Sequence, residues 1–330
     1  MTAPILVTGG AGYIGSHVVL HLRDAGHEVV VYDNLSTGNA WAVLGAELIE
    51  GELSARDEVA ALLSARRIKT VVHFAASIVA PESVDRPLEY YRNNTANTLG
   101  LLEACAAAGV ERFVFSSTAA VYGVPQTTPV AEDAPLAPIN PYGASKMMSE
   151  RCLMDLAAAT SMRYVILRYF NVAGADGEGR LGQVCRDATH LIKIACETVV
   201  GKRSGMQVYG TDYPTPDGTC IRDYIHVDDL ARAHVDAVTY LSDSGASDIL
   251  NCGYGHGASV LDVLAAVRRQ SGTEIRVDHG ARRPGDSPEL VADNRKIRRV
   301  LNWAPRHDDL DYIVRTALEW ERRLIEMDAT

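Results

Sequence analysis

At 330 residues, 47% hydrophobic and 22% charged, the chain is long enough for one large α/β core with a lobe or for two domains, and its composition is globular. A formal charge of −10 with no long basic run argues against nucleic acid or an anionic membrane surface as partner. Six scattered cysteines without a C-x-x-C pair predict reduced thiols and no structural metal. The N-terminus enters a strand directly and no apolar run nears the ~20 residues that span a bilayer, so a cytoplasmic protein is expected.

Residues 5–9 (ILVTG) form the first predicted strand, followed by a helix from about Gly12 and a strand over 28–33. A strand over 46–51, a helix over 55–66, a strand over 70–76 and a long helix over 88–108 come next. A strand over 112–117, a helix starting near Tyr142 and a strand over 163–171 complete the series. Nearly continuous apolar strands separated by helices predict an α/β fold with a doubly wound parallel sheet covered on both faces. After Asn171 the regularity fades into loop-like stretches over 174–183, 209–219 and 282–290, the material of a smaller ligand-selecting lobe.

The first loop, VTGGAGYIGSH, carries Gly9, Gly12 and Gly15 between a strand and a helix. Bare backbone N–H groups and the helix dipole can there meet a pyrophosphate. Asp33 ends the second strand, where a carboxylate accepts from an adenosine ribose and repels a 2′-phosphate, favouring NAD over NADP. Residues 140–146 (NPYGASK) put Tyr142 and Lys146 one helical turn apart. A phenol is a poor base at its ordinary pKa of ~10, and a nearby ammonium favours the phenolate. Tyr142 would then take a proton from a substrate hydroxyl while a nicotinamide takes hydride from the same carbon. Ser116, Ser117 and Thr118, at the end of the preceding strand, supply hydroxyls to anchor it. The division expected is an NAD-binding Rossmann domain over 1–172 and a substrate lobe over 173–330, with part of 215–250 returning to the first domain.

These segments, together with YDNLSTG, HFAA, PLEYYRNN, RYFNVAGA, YGTDYPTPDGTCIRDYIHV and RRPGD, resemble the extended short-chain dehydrogenases/reductases and, within them, the UDP-glucose 4-epimerase family. The resemblance runs through nearly the whole chain in order. It implies that Thr118, Tyr142 and Lys146 are the catalytic hydroxyl, base and assisting lysine. It implies NAD contacts from the loop glycines, Tyr13, Ile14, Asp33, Asn34, Leu35, Ser36, Thr37, Gly38, Glu52, Leu53, Phe74, Ala75, Ala76, Asn93 and Phe170. For a UDP-sugar it implies Asn171, His190, Leu191, Gln207, Val208, Tyr209, Arg222, Arg283, Asp286 and Leu290, the two arginines as pyrophosphate clamps and Tyr209 against uracil. The chain departs from the family at Glu52-Leu53 (commonly Asp-Ile), at Ile78 (often lysine) and at His190 (often asparagine).

Related dehydratases and decarboxylases place acids one or two residues after the threonine, where this chain has Ala119 and Ala120. The function expected is therefore reversible epimerisation at C4 of UDP-galactose and UDP-glucose through a 4-keto sugar. The alternatives are a 4-epimerase of another UDP-sugar (N-acetylhexosamine, pentose or uronic acid) and a non-catalytic NAD-binding regulator. The resemblance also implies a homodimer packed through helices over 88–108 (Leu99, Leu102, Ala106) and 143–158 (Met147, Leu153, Leu156). His226, Asp228 and Asp229 suggest a metal at first sight, but the start of a helix explains them better.

Overall fold

The structure, a computed structural model, describes residues 3–185, 188–283 and 285–328. The first half alternates as the sequence predicts: β1 (Ile5–Thr8), α1 (Tyr13–Asp24), β2 (Val29–Asp33), β3 (Glu47–Glu50), α2 (Arg56–Ala65), β4 (Thr70–His73), α3 (Ala80–Asp85), α4 (Pro87–Tyr90), α5 (Asn97–Ala108), β5 (Arg112–Thr118), α6 (Pro141–Ala159) and β6 (Arg163–Tyr169). Then come β7 (Asn171–Ala173), α7 (Leu191–Val199), β8 (Met206–Tyr209), β9 (Ile221–Arg222), β10 (Tyr224–His226), α8 (Val227–Ser242) and β11 (Asp248–Cys252). The chain closes with β12 (Ala258–Ser259), α9 (Val260–Ser271), β13 (Val277–Gly280), β14 (Glu289–Leu290), α10 (Arg295–Leu301) and α11 (Leu310–Asp328).

Seven parallel strands form one sheet in the order β3-β2-β1-β4-β5-β6-β11. Successive residues of a strand point to opposite faces. Thus Ile5, Val7, Val29 and Val31 join a core with Val18, Leu22, Leu230 and Ala237 from α1 and α8, while Leu6, Val30 and Val71 join a second core with Leu63, Leu101 and Leu153 from α2, α5 and α6. Burial on both faces is why these strands read as unbroken apolar runs. Strand order reverses between β1 and β4, and ligands of such sheets bind where the carboxyl ends of the strands part. Residues 227–252, as α8 and β11, belong to this sheet layer, far in sequence from the strands they complete.

Two predicted elements are subdivided. The helix expected over 88–108 begins as α4 at Pro87, widens to π geometry over Tyr91–Ala96 and continues as α5. The strand expected over 163–171 breaks at Phe170, whose N–H bonds Cys252 O, so that β7 leaves the sheet to pair with β10. Beyond β7, α7, α9 and α11 pack against the same core as α8, and two small sheets, β12-β9-β14 and β13-β8, lie outside the seven-stranded one. Among the described residues, no helix is long and apolar enough to cross a membrane.

Candidate active site

The loop after β1 is shaped by what a side chain would strike. Gly9 has φ 71°, a left-handed value, and an added Cβ would stand 2.5 Å from Ala75 N; at Gly15 it would stand 2.2 Å from Gly9 O. The backbone is thereby bare and pressed between β4 and the start of α1. Asp33 locks this loop to the next one: Ala11 N–H and Leu35 N–H donate to its two oxygens, each at 2.9 Å. Ser36 N–H and Oγ donate to Asn34 Oδ1, and Asn34 Nδ2 donates to Glu52 Oε1 at 3.1 Å. Leu53 is buried in the core beside α2, while Thr37 is exposed. Tyr13 donates its phenol to Gly174 O at 2.7 Å, tying α1 to the loop after β7, and Ile14 is partly buried against the core.

Across the switch point, Phe74, Ala75 and Ala76 follow β4, and Phe74 packs on His234 of α8 with ring centroids 4.8 Å apart. The π-helical turn fixes this segment. Asn93 Nδ2 donates to Ser77 Oγ; Asn94 accepts from Ser77 N–H and donates to Ser77 O and to Ser145 Oγ on α6. Sequence reasoning missed Asn94, Ser77 and Ser145. The signal was two adjacent asparagines, poor helix formers, inside a helical pattern. Ile78 is exposed and brings no charge to this rim.

Asn140 caps α6 by accepting from Gly143 N–H at 2.8 Å, with Pro141 in the first turn. That start fixes the helix phase and sends Tyr142 and Lys146 inward, 8% and 3% exposed. β5 delivers Thr118 to the same place. Burial pushes the Tyr142 phenol above its ordinary pKa, opposed by a hydrogen bond with Thr118. Burial also pulls the Lys146 ammonium down to about 8, against the attraction of Glu150. Lys146 Nζ donates to Ser116 O at 2.8 Å. Tyr169 OH lies 3.1 Å from Ser116 Oγ. His73 is the hydrogen-bonded strand-end histidine expected, set between Thr8 and Thr98 at 2.6 and 2.9 Å.

The lobe gathers a second set. Arg222 Nη2 reaches Asp286 Oδ1 at 3.4 Å and its Nη1 donates to Ser287 O, while the Arg283 guanidinium stacks 3.9 Å from the Tyr209 ring centroid. β14 pairs Leu290 with Arg222 and sets it against Phe170, Ala119 and Tyr122, beside the turn that follows Thr118. Asn171 donates its N–H to Asp223 O. Asn171, His190 and Leu191 border a shallow cleft that also reaches Gln183, Lys193 and Trp320. His190 Nδ1 lies 2.9 Å from Gln183 Nε2, and burial lowers its pKa. Val208 is buried at 1% exposure, whereas Gln207 is exposed. Pro284 of RRPGD lies outside the described residues.

His226, Asp228 and His307 offer ligand atoms within 4.8 Å of one another. His226 is already committed: Nδ1 accepts Asp228 N–H as the cap of α8, and Nε2 lies 3.1 Å from Thr316 Oγ1. Asp229 accepts from Tyr254 OH and from the N–H groups of Arg306 and His307. These are structural partners.

The family model for the NAD dependent epimerase/dehydratase family matches residues 5–253, which contain the glycine loop, Thr118, Tyr142, Lys146 and Arg222. The chain belongs to this family. Among curated relatives, the UDP-glucose 4-epimerase of Azospirillum brasilense is 56% identical over 97% of this chain and 92% of its own. The solved UDP-glucose 4-epimerase from Brucella ovis, in complex with NAD, superposes with TM-score 0.94 at 44% identity, covering 96% of this chain and 98% of that one. The UDP-Glc/GlcNAc 4-epimerase from Campylobacter jejuni is 48% identical with TM-score 0.86, covering 98% and 100%. The fold is thus that of an extended short-chain dehydrogenase/reductase, an NAD-dependent family of isomerases among others.

Proposed function

We propose that the chain interconverts UDP-galactose and UDP-glucose by inverting C4 through a 4-keto sugar, with NAD held as a catalyst and not consumed. The observation that carries this is the buried trio Thr118, Tyr142 and Lys146, where the carboxyl end of β5 meets the start of α6, with Thr118 followed by Ala119 and Ala120, which move no proton. The bare backbone at Gly9, Gly12 and Gly15, where a Cβ would crowd Ala75 and Gly9 O, fits a dinucleotide pyrophosphate. Asp33, Asn34 and Glu52 would hold the adenosine end, and Phe74 to Ala76, Asn93 and Phe170 the nicotinamide end. Bound there, the nicotinamide supplies a reversible acceptor for the hydrogen on C4. Tyr142 takes the proton of the 4-hydroxyl and later returns it to the same oxygen, which Thr118 anchors by hydrogen bonding. Lys146 favours the phenolate by its charge. A ketone with no acid to divert it takes its hydrogen back, and if the ring has turned over, C4 is inverted.

Arg222 and Arg283 would clamp the diphosphate, Asp286 would meet the uridine ribose and Tyr209 the base. Leu290 favours a second, slower reaction on the N-acetylated pair. It is smaller than tyrosine and larger than serine, and a pocket wall of this kind discriminates by only ~1–3 kcal/mol. A relative named for both UDP-Glc and UDP-GlcNAc supports the same reading. We place the enzyme in the cytoplasm, in keeping with six free cysteines. We also assign it a homodimer across the α3–α6 face, which exposes Val84, Leu88, Leu99 and Met148. Of the seam residues the sequence nominated, Leu102 and Leu153 are 1% exposed and serve the core instead. The deciding experiment is incubation with a panel of UDP-sugars followed by NMR of the products. Net oxidation, or no change at C4 of UDP-galactose, refutes the assignment.

A further inference from the structure

Lys146 and Glu150 are four residues apart on α6, the spacing at which an ammonium and a carboxylate meet on one helix face. They do not pair. Lys146 Nζ donates to Ser116 O and stands 4.7 Å from the Phe115 ring centroid, and it joins no ion pair among the described residues. The carboxylate is occupied elsewhere: Arg168 Nε donates to its two oxygens at 3.1 and 3.2 Å, Arg168 Nη2 to Oε2 at 2.7 Å, and Ser117 Oγ to Oε1. Arg168 and Glu150 are 2% and 1% exposed. A buried pair of this kind returns little net stability, because desolvating both ions offsets their attraction.

We propose that Arg168 is a positioning residue for the reaction: by gripping Glu150 it keeps that carboxylate off Lys146 and leaves the ammonium to serve Tyr142. The same fork steadies the catalytic turn. Arg168 Nη1 donates to Tyr122 OH at 3.0 Å and to Glu132 O at 3.1 Å, and Tyr122 OH donates to Asn251 Oδ1 at 2.6 Å. Ser117 is thus held just before Thr118 and Tyr122 just after it. Of the other titratable groups around the pair, Glu132 meets Arg168 through its carbonyl, while its carboxylate accepts Asn251 N–H at 2.8 Å on the side of Tyr122. On β4, His73 is pushed down to about 3 by burial and by Lys146; on α4 and β6, burial drives the phenols of Tyr90 and Tyr169 upward. Glu150 is the anion acting on Lys146, and Arg168 is the cation that answers it.

This inference rests on the epimerase reading and on the roles given to Tyr142 and Lys146. The test is kcat and KM for UDP-galactose against pH, on the holoenzyme, for wild type, Arg168→Gln, Glu150→Gln and the double variant. Arg168→Gln should let Glu150 draw Lys146 away from Tyr142, lowering kcat at neutral pH about tenfold or more and moving its profile alkaline by about one unit, with KM within about threefold. Glu150→Gln, nearly isosteric, should move the profile the other way, since a negative charge has gone. The double variant should recover most of the kcat lost by Arg168→Gln. An unshifted profile in Arg168→Gln, or a double variant no better than that single one, overturns the proposal. Should Arg168→Gln fail to fold, Glu150→Gln decides alone: an acid shift upholds the proposal and an unshifted profile sinks it. A wild type inactive on every UDP-sugar would instead refute the epimerase reading.

Discussion

Replacing Lys146 by methionine should stabilise the cofactor-free protein at neutral pH while abolishing turnover. The ammonium is 3% exposed, and burial pulls its pKa from 10.5 down to about 8 even with Glu150 acting against the fall. Between those values the unfolded chain keeps a proton that the folded chain has released, so stability gains from this group as pH rises through that window. Below pH 8 the whole penalty is present. A fall of that size is worth roughly 3 kcal/mol. Losing the bond to Ser116 O gives back about 1 kcal/mol, and methionine nearly matches the lysine stem in volume. A net gain of about 2 kcal/mol in a chain of this length raises Tm by roughly 2–3 °C. The assay is thermal unfolding of NAD-stripped wild type and variant at about pH 7 and about pH 10, where the advantage should shrink. A variant less stable than wild type at both pH values would show that the buried charge is not the burden argued.

Tyr142→Phe keeps the ring and loses the hydroxyl, so kcat should fall about 10³-fold while bound dinucleotide, read by absorbance, stays. Because the proposed cycle is redox-neutral, the protein should purify with NAD(H) and epimerise without added cofactor. A nicotinamide-free preparation active only with millimolar NAD would count against retention and implicate Ile78. Leu290→Tyr should remove turnover of UDP-N-acetylhexosamines and spare UDP-galactose. A wild type with no N-acetylhexosamine conversion at long incubation would show that Leu290 does not open the pocket. Leu88, at 73% exposure, lies on the proposed seam. Leu88→Asp should give a monomer by light scattering where wild type gives a dimer, and a monomeric wild type ends that reading.

The central sheet was legible because β1, β2, β4 and β6 are apolar on both faces and leave no competing helical period. The glycine loop, Asp33, Thr118, Tyr142 and Lys146 could be picked out for the same local reason: each sits at a strand end or a helix start that the pattern marks. What stayed hidden depends on contacts distant in sequence. Arg168 reads as one more residue of a strand, yet its partners come from α6, the turn at 122 and the loop at 132. Leu102 and Leu153 misled because α5 is apolar nearly all round and α6 buries Ser145, Lys146, Ser149 and Glu150, so periodicity does not separate the inward face from the outward one. The stacking of Arg283 on Tyr209 joins residues that loops bring together, and no local spacing announces it.

The placement of β11 beside β6 bears on how the molecule is made. Until α8 emerges, the face carrying Val7, Val31, Val114 and Val165 lacks part of its cover, and until residue 252 has left the ribosome, β6 is an open sheet edge. The nucleotide loop, complete by residue 15, therefore waits on more than two hundred further residues for a finished sheet beneath it. A nascent or truncated chain ending near 172 would show strand edge and apolar face to its neighbours and would aggregate before it could hold a cofactor.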